Sequence, residues 1–279
     1  MPTQADGMTA ALRTEGRLPA AADLDRKSTA EIVELINRED QTVAVAVQRV
    51  LPDLVRAVDR IVAALQSGGR LFYVGAGTSG RLGVLDAAEC PPTYGIPPET
   101  IQALMAGGKG AVFRAREGAE DNEVQGGRDL VRRGLTARDV VCAVSSSGRT
   151  PYAIGALRQA RALGAGTLAV YCNPEAPLGL YADVSIVPQT GPEVVAGSTR
   201  MKAGTAQKMV LNLLSTATMV RLGRVSGNAM SHMRVSCGKL RYRAERIVME
   251  KLGISQAEAA QRLEQAQWDL ARALGETAE

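Results

Sequence analysis

The chain has 279 residues, 46% hydrophobic and only 3% aromatic, with a net charge of +4. That is enough for one large domain with helical additions, whose core must come mainly from Ala, Val, Leu, Ile and Met. Basic and acidic residues alternate, as in Arg56, Asp59 and Arg60, no apolar run approaches the roughly 18 residues of a membrane span, and no basic-then-apolar leader opens the chain, so no nucleic acid, no membrane and a cytoplasmic location are expected.

Residues 1–25 are polar, Ala-rich and aperiodic, which predicts a flexible or extended arm. Ser28 to Arg38 predicts a helix, with Ser28 as N-cap and Glu31 three residues on. A second helix is expected from Thr42 to Ser67, bent or broken at Pro52 and ended by Gly68-Gly69. Short apolar runs then appear at 71–74, 101–105, 140–144, 167–171 and 184–187, alternating with stretches of helical spacing such as 126–133 and 152–163. Continuously apolar strands alternating with helices predict an α/β fold with a doubly wound, roughly five-stranded parallel sheet. Helical spacing returns over 199–222, 236–252 and 255–273, with Ser255 as an N-cap before Glu258. The expected partition is 1–67 (arm and helices), 68–223 (α/β domain) and 224–279 (C-terminal helical segment).

In an open parallel sheet, ligands bind beyond the carboxyl ends of the strands. The loop after Val74 reads Gly75-Ala-Gly-Thr-Ser-Gly-Arg81. Its glycines allow close backbone approach, and Thr78 and Ser79 add hydroxyls at a helix N-terminus, a setting suited to an anion. Gly75, Gly77 and Gly80 also have dinucleotide spacing, but no acidic residue closes a second strand about 20 residues on to mark a ribose site. The loop after Val144 reads Ser145-Ser-Ser-Gly-Arg-Thr-Pro151. Ser145, Ser146, Ser147 and Thr150 can hold a phosphate through hydroxyls and amides, although a Ser-rich turn can also simply cap a helix.

No metal is expected. The single histidine is His232, the four cysteines (Cys90, Cys142, Cys172, Cys237) are scattered, and zinc needs three or four ligands at short spacings. Carboxylates remain. Pro91 and Pro92 are expected to end a short helix just after Glu89, whose position near a helix C-terminus favours the protonated form of a general acid. Glu120 lies in the acidic turn Gly118–Asn122 and could be the ionised partner.

These segments together resemble the N-acetylmuramic acid 6-phosphate etherases, enzymes of the sugar isomerase (SIS) fold. The resemblance runs from about Thr14 to about Ala266. It is carried by GAGTSGRLG (75–83), LDAAECPPTYG (85–95), EGAED (117–121), SGRTPY (147–152) and GSTRMKAGTAQKMVL (197–211). It implies a homodimer without metal or redox cofactor that works on a small sugar phosphate. Ring-opened N-acetylmuramic acid 6-phosphate would lose D-lactate from C3 by elimination, and water would add to give N-acetylglucosamine 6-phosphate. The family's catalytic glutamates fall on Glu89, which protonates the departing oxygen, and Glu120, which takes the C2 proton. Thr78, Ser79, Ser145, Ser146, Ser147 and Thr150 match its phosphate loops. A sugar-phosphate isomerase and a non-enzymatic sugar-phosphate sensor share this fold and are the alternatives.

The chain departs from the family pattern in places. His232 stands where the family has Asp and Cys237 where it has Asn, Thr14–Leu18 lacks the usual Asn, and the C-terminus is shorter by about a helix. His232 is expected to be a structural replacement. A helix starting near Thr78 would carry Glu89 roughly 15 Å from the phosphate loop at 1.5 Å per residue. Either it breaks at Gly83 or Glu89 completes the other subunit's site, and the shared site is preferred.

Overall fold

The computed structural model describes residues 12–235 and 237–275. Five strands, β1 (Leu71–Gly75), β2 (Ile101–Met105), β3 (Val140–Val144), β4 (Gly166–Val170) and β5 (Val184–Ile186), pair in the order β2-β1-β3-β4-β5. Every pairing is parallel, and Leu71 lies opposite both Ile101 and Val140. β1 and β3 are buried along their whole length, which explains their unbroken apolar sequences. Successive side chains point to opposite faces: Leu71 and Tyr73 enter one core, Phe72 and Val74 the other. The expected α/β architecture with five parallel strands is therefore present. The direction of winding reverses between β1 and β3, so the loops after these two strands flank the crevice where such sheets bind ligands.

Helices cover both faces. One face carries α1 (Thr29–Gln48), α2 (Leu51–Gln66), α3 (Gly77–Tyr94) and, after β5, α7 (Lys202–Arg221). The other carries α5 (Glu123–Arg132) and α6 (Pro151–Ala162), while the short α4 (Lys109–Phe113) follows β2. The first turns of α5 and α6 touch backbone to backbone. A Cβ on Gly126 would lie 1.9 Å from the Tyr152 carbonyl oxygen, and one on Gly155 would lie 1.9 Å from that of Glu123, so only glycine fits at either point. No described helix is long and apolar enough to cross a membrane.

Several local expectations are corrected. The described part of the arm is not extended: residues 13–15, 19–21 and 24–26 form short 3-10 turns, and Thr14 is fully buried. The arm's first eleven residues lie outside the described ones. α1 does not stop at Arg38 but runs on to Gln48, because nothing from Arg38 to Gln41 breaks a helix and Glu39 is anchored to Lys202 Nζ at 2.6 Å. The chain turns at Arg49–Val50, which puts Pro52 in the first turn of α2, where its missing N–H costs nothing. The expected end before Pro91 is also overturned. α3 continues through both prolines to a left-handed Gly95, whose amide donates to the Pro91 carbonyl at 3.0 Å. Each proline removes one donor and keeps a helical φ, and near a C-terminus that loss is small.

Beyond α7, α8 (Gly238–Leu252), α9 (Gln256–Gln265) and α10 (Leu270–Leu274) close around their own small core of Met233, Val248, Leu263 and Leu270. The expected single helix over 255–273 is thus two. Gln267 and Trp268 take left-handed φ values of 55° and 61°, and Arg241 stacks over the Trp268 ring at 4.8 Å. The Ser255 capping box is formed, as is that of Ser28. Ser236, the first residue expected in α8, lies outside the described residues. Cys90, Cys142 and Cys172 are buried, and desolvation pushes each thiol up to about 12. Cys237 is exposed.

Candidate active site

Both predicted loops stand side by side at the carboxyl edge of the sheet. Ser145 is buried and holds the second loop in shape. Its Oγ lies 2.9 Å from Thr150 Oγ1 and 3.4 Å from Ser147 Oγ, and it accepts the Gly148 amide at 3.0 Å. Gly148 has a left-handed φ of 68° and is packed against Ala176, which curls the loop so that its hydroxyls face inward. Ser146, Ser147, Thr150 and, across the crevice, Thr78 stay partly open. Ser79 is buried, and its hydroxyl donates to Gln207 Oε1 at 2.8 Å. The Gln207 amide in turn donates to Ser146 Oγ at 3.0 Å. One fully buried side chain from α7 therefore bridges the two loops. It leaves the Ser146 proton available to a ligand while committing that of Ser79.

Glu120 is on the same edge. Gly118, left-handed at φ 71°, starts a 3-10 turn over Ala119–Asp121, and Asn122 then caps α5 by accepting the Gln125 amide at 3.0 Å. A recess of about 130 Å3 connects this turn to the first loop, lined among others by Gly77, Arg81, Met105, Arg116 and Glu120. Glu120 is exposed as a residue, but partial desolvation of its carboxyl, with the negative Asp121 and Glu117 beside it, raises its pKa above the ordinary glutamate value. Because α5 follows Glu120, α6 follows the serine loop, and the two helices meet at Gly126 and Gly155, the Glu120 carboxyl and the hydroxyls are mounted on one rigid plate. A larger, shallow groove of about 810 Å3 on the outer face of α5 and α6 lacks such a cluster, and its Arg158 and Glu123 pair with each other.

Glu89 is not brought to this edge. α3 passes Gly83 without a break, and Glu89 lies exposed on it, 12 residues beyond Gly77 and so about 18 Å along the axis. It also stands more than a turn before the helix end, so the expected influence of the helix C-terminus on its carboxyl loses its premise. The C-terminal segment lies beside it: the Arg234 amide donates to the Pro92 carbonyl at 3.1 Å, and Arg234 Nη2 to that of Ile96 at 3.2 Å. His232 is in this segment, with Nδ1 2.9 Å from Ser231 Oγ and its carbonyl pressed against Gly95.

Some supporting residues lie within the span of the resemblance but were given no role there. Gln207 is one. Thr14 is another: its amide donates to Asn173 Oδ1 at 3.1 Å, while Asn173 Nδ2 reaches Thr14 Oγ1 at 2.9 Å and the Ser146 carbonyl at 3.0 Å. The arm thereby braces the serine loop from behind. Glu193, fully buried, accepts the amides of Lys202 and Ala203 at 2.9 Å each and fixes the start of α7; desolvation raises its pKa despite those bonds. Asp86 takes bonds from Tyr73, Asn212 and Ser215 and locks α3 to α7, and burial raises its pKa too. Among the described residues, no group of three or more His, Cys, Asp or Glu is placed to hold a metal.

Hydroxyl loops at the switch point of a five-stranded parallel sheet define an SIS-fold protein, and the comparisons agree. The sequence matches the glucokinase regulatory protein N-terminal SIS domain over residues 53–161 and the SIS domain over residues 122–217. Phosphoheptose isomerase from Francisella tularensis superposes with a TM-score of 0.54 at 12% identity, covering 70% of this chain and 100% of that one. The corresponding enzyme of Neisseria gonorrhoeae gives 0.54 at 15% identity, over 68% of this chain and 98% of that one. Nearer in sequence are N-acetylmuramic acid 6-phosphate etherases. That of Symbiobacterium thermophilum is 56% identical over 91% of this chain and 85% of its own, and that of Erwinia tasmaniensis 52% over 94% and 86%. The chain belongs to the N-acetylmuramic acid 6-phosphate etherase family.

Proposed function

We propose that the chain cleaves the D-lactyl ether of N-acetylmuramic acid 6-phosphate, releasing D-lactate and N-acetylglucosamine 6-phosphate. The observation that carries this reading is the rigid placement of Glu120 next to the hydroxyl loops, on one edge of the sheet. The phosphate sits among Ser146, Ser147, Thr150 and Thr78, with Ser145 and Ser79 shaping the cradle. Glu120 takes the C2 proton of the open-chain sugar, its raised pKa making it a better base when ionised. The C2 electron pair forms the C2–C3 double bond as the C3–O bond breaks, and the lactyl oxygen receives a proton. Water then adds its oxygen at C3 and a proton at C2.

The proton for the lactyl oxygen comes from Glu89 of the partner subunit in a homodimer. Within one chain Glu89 is a helix length from the cradle, and its exposed position suits a residue presented to a neighbour. The α/β domain of residues 68–223 carries the cradle, and the described residues of the flanking segments 1–67 and 224–279 brace it and present the α3 end. The setting is cytoplasmic amino-sugar metabolism linked to peptidoglycan recycling.

The test is D-lactate release from N-acetylmuramic acid 6-phosphate by purified protein treated with EDTA. Release that is lost in Glu89→Gln and in Glu120→Gln supports the reading. A protein that binds the sugar phosphate but releases no lactate would be a sensor instead. Mixing the two inactive variants under subunit exchange restores about a quarter of the activity if the site is shared, since half the dimers then hold one intact site of two. No recovery despite exchange rejects the shared site.

A further inference from the structure

We infer that the recess beside Glu120 is a carboxylate subsite, in which Arg81 and Arg116 receive the lactyl carboxylate of the substrate. This rests on the etherase reading above. Arg81 and Arg116 both line the recess together with Gly77 and Glu120. Both are held by neutral backbone carbonyls. Arg81 donates from Nε to Val112 at 2.8 Å and from Nη2 to Ala111 at 2.8 Å, and Arg116 donates from Nη1 to Gly107 at 3.0 Å. Among the described residues, neither forms an ion pair with Asp or Glu, whereas Arg56, Arg60, Arg70 and Arg158 all do. A guanidinium has five N–H donors, so Arg81 and Arg116 are oriented without being neutralised and keep donors to spare.

Arginines that pin carbonyls are often purely structural. Three features set these two apart. First, the recess is small: about 130 Å3 makes room for a branch of a ligand beside the larger crevice, not for the whole sugar phosphate. Second, the chemistry requires an anion near this point. Glu120 takes the proton from C2, and the lactyl carboxylate is only four bonds from C2, through C3, the ether oxygen and the lactyl Cα. Third, a carboxylate beside Glu117 and Glu120 would be repelled unless cations stood there, and these two arginines are the cations that line the recess. The hydroxyl loops take the phosphate without a full positive charge, and the positive charge is reserved for the other anionic end of the molecule. Product and substrate share the phosphate and differ at this branch, so the subsite tells them apart.

The arginines grip the carboxylate both before and during elimination, so their loss raises KM more than it lowers kcat. Arg116→Met is expected to raise KM for N-acetylmuramic acid 6-phosphate roughly 10- to 100-fold. Its Kd for N-acetylglucosamine 6-phosphate, which lacks the carboxylate, stays within about twofold. Arg116→Lys recovers part of the loss, because charge returns without the fork. A loop displaced by the substitution would instead weaken both ligands together, and that result overturns the subsite, as does an unchanged KM. A second measurement needs no variant: the substrate with its lactyl carboxyl converted to the amide should bind the unaltered protein at least tenfold more weakly, and equal binding overturns the proposal. If the unaltered protein releases no D-lactate, the etherase reading falls with it; if it releases lactate and Arg116→Met keeps its KM, only the subsite falls.

Discussion

The two edges of the sheet are both rich in polar side chains, yet they spend their hydrogen bonds differently. At the amino edge, the buried Asp139 accepts from the amide, Nε and Nη2 of Arg70 and from the amide and hydroxyl of Thr136, at 2.7–3.1 Å. Asp183 likewise takes the Thr167 amide and Arg60. Those groups are closed on themselves. At the carboxyl edge, Ser146, Ser147, Thr150, Arg81 and Arg116 are held in place from behind and keep capacity toward the crevice. Polarity alone therefore does not mark a site. What marks it is polarity that the fold orients and leaves unspent.

The largest effect should come from the open edge. Glu120→Gln removes the proposed base without removing volume, and lactate release should fall by roughly 10²–10⁴ while N-acetylglucosamine 6-phosphate still binds. A loss below tenfold, measured at saturating substrate, would show that Glu120 does not take the proton. The next effect belongs to the closed edge and should touch stability only. Asp139→Asn breaks a buried, multiply bonded pair, and urea unfolding should show a loss of about 3 kcal/mol with unaltered kcat per folded molecule. Burial alone would raise the Asp139 carboxyl, but the bonds from Arg70 and Thr136 outweigh it and hold the pKa below the ordinary 3.8. A depressed folded pKa stabilises above the unfolded value and is lost as pH falls through the folded one, so the gap between variant and parent should close below about pH 4.

A smaller effect tests the bridge between the loops. Gln207→Met keeps length but removes both bonds, and KM should rise roughly tenfold with less change in kcat. If kcat falls as far as kcat/KM, the bridge acts on chemistry and not on binding. The smallest effect is a shift in pH dependence. With Glu120 as the proposed base, activity needs it ionised and should decline as pH drops through that group's raised pKa. Removing a negative neighbour by Asp121→Asn lowers the pKa and moves the acidic limb of kcat/KM to lower pH. A limb that stays in place would assign it to another group.

What could be seen in the sequence was local or repetitive. Five apolar runs alternating with helical stretches foretold the sheet, Gly75 and Ser145 after two of them foretold its binding edge, and Ser28/Glu31 and Ser255/Glu258 foretold two helix starts, because each signal needs only a few adjacent residues. The length of α1 was hidden because a polar stretch such as Arg38–Gln41 reads equally as a loop or as an exposed helical turn. Pro91 and Pro92 misled because proline forbids its own donor, not the last turn of a helix. The separation of Glu89 from the cradle followed from helical rise alone. Gln207 and Thr14 lie within the span of the resemblance, but their roles were not legible, since their partners lie 61 to 159 residues away and arrive only through tertiary packing. Arg81 and Arg116 likewise look like any surface arginines until the carbonyls that aim them are known.

The glycine contact between α5 and α6 makes this edge a caliper. Two backbones in direct contact set how closely α5 and α6 approach, and with it the span from Glu120 to the serine loop; any side chain at these points would push the helices apart and lengthen it. A span set in this way measures its ligand: it accepts a sugar whose anchoring phosphate and acidic carbon are separated by the right number of atoms and turns away one phosphorylated at the wrong position, however well that phosphate itself would bind. Selectivity for where the phosphate sits would then be written into two residues, Gly126 and Gly155, that never touch the substrate.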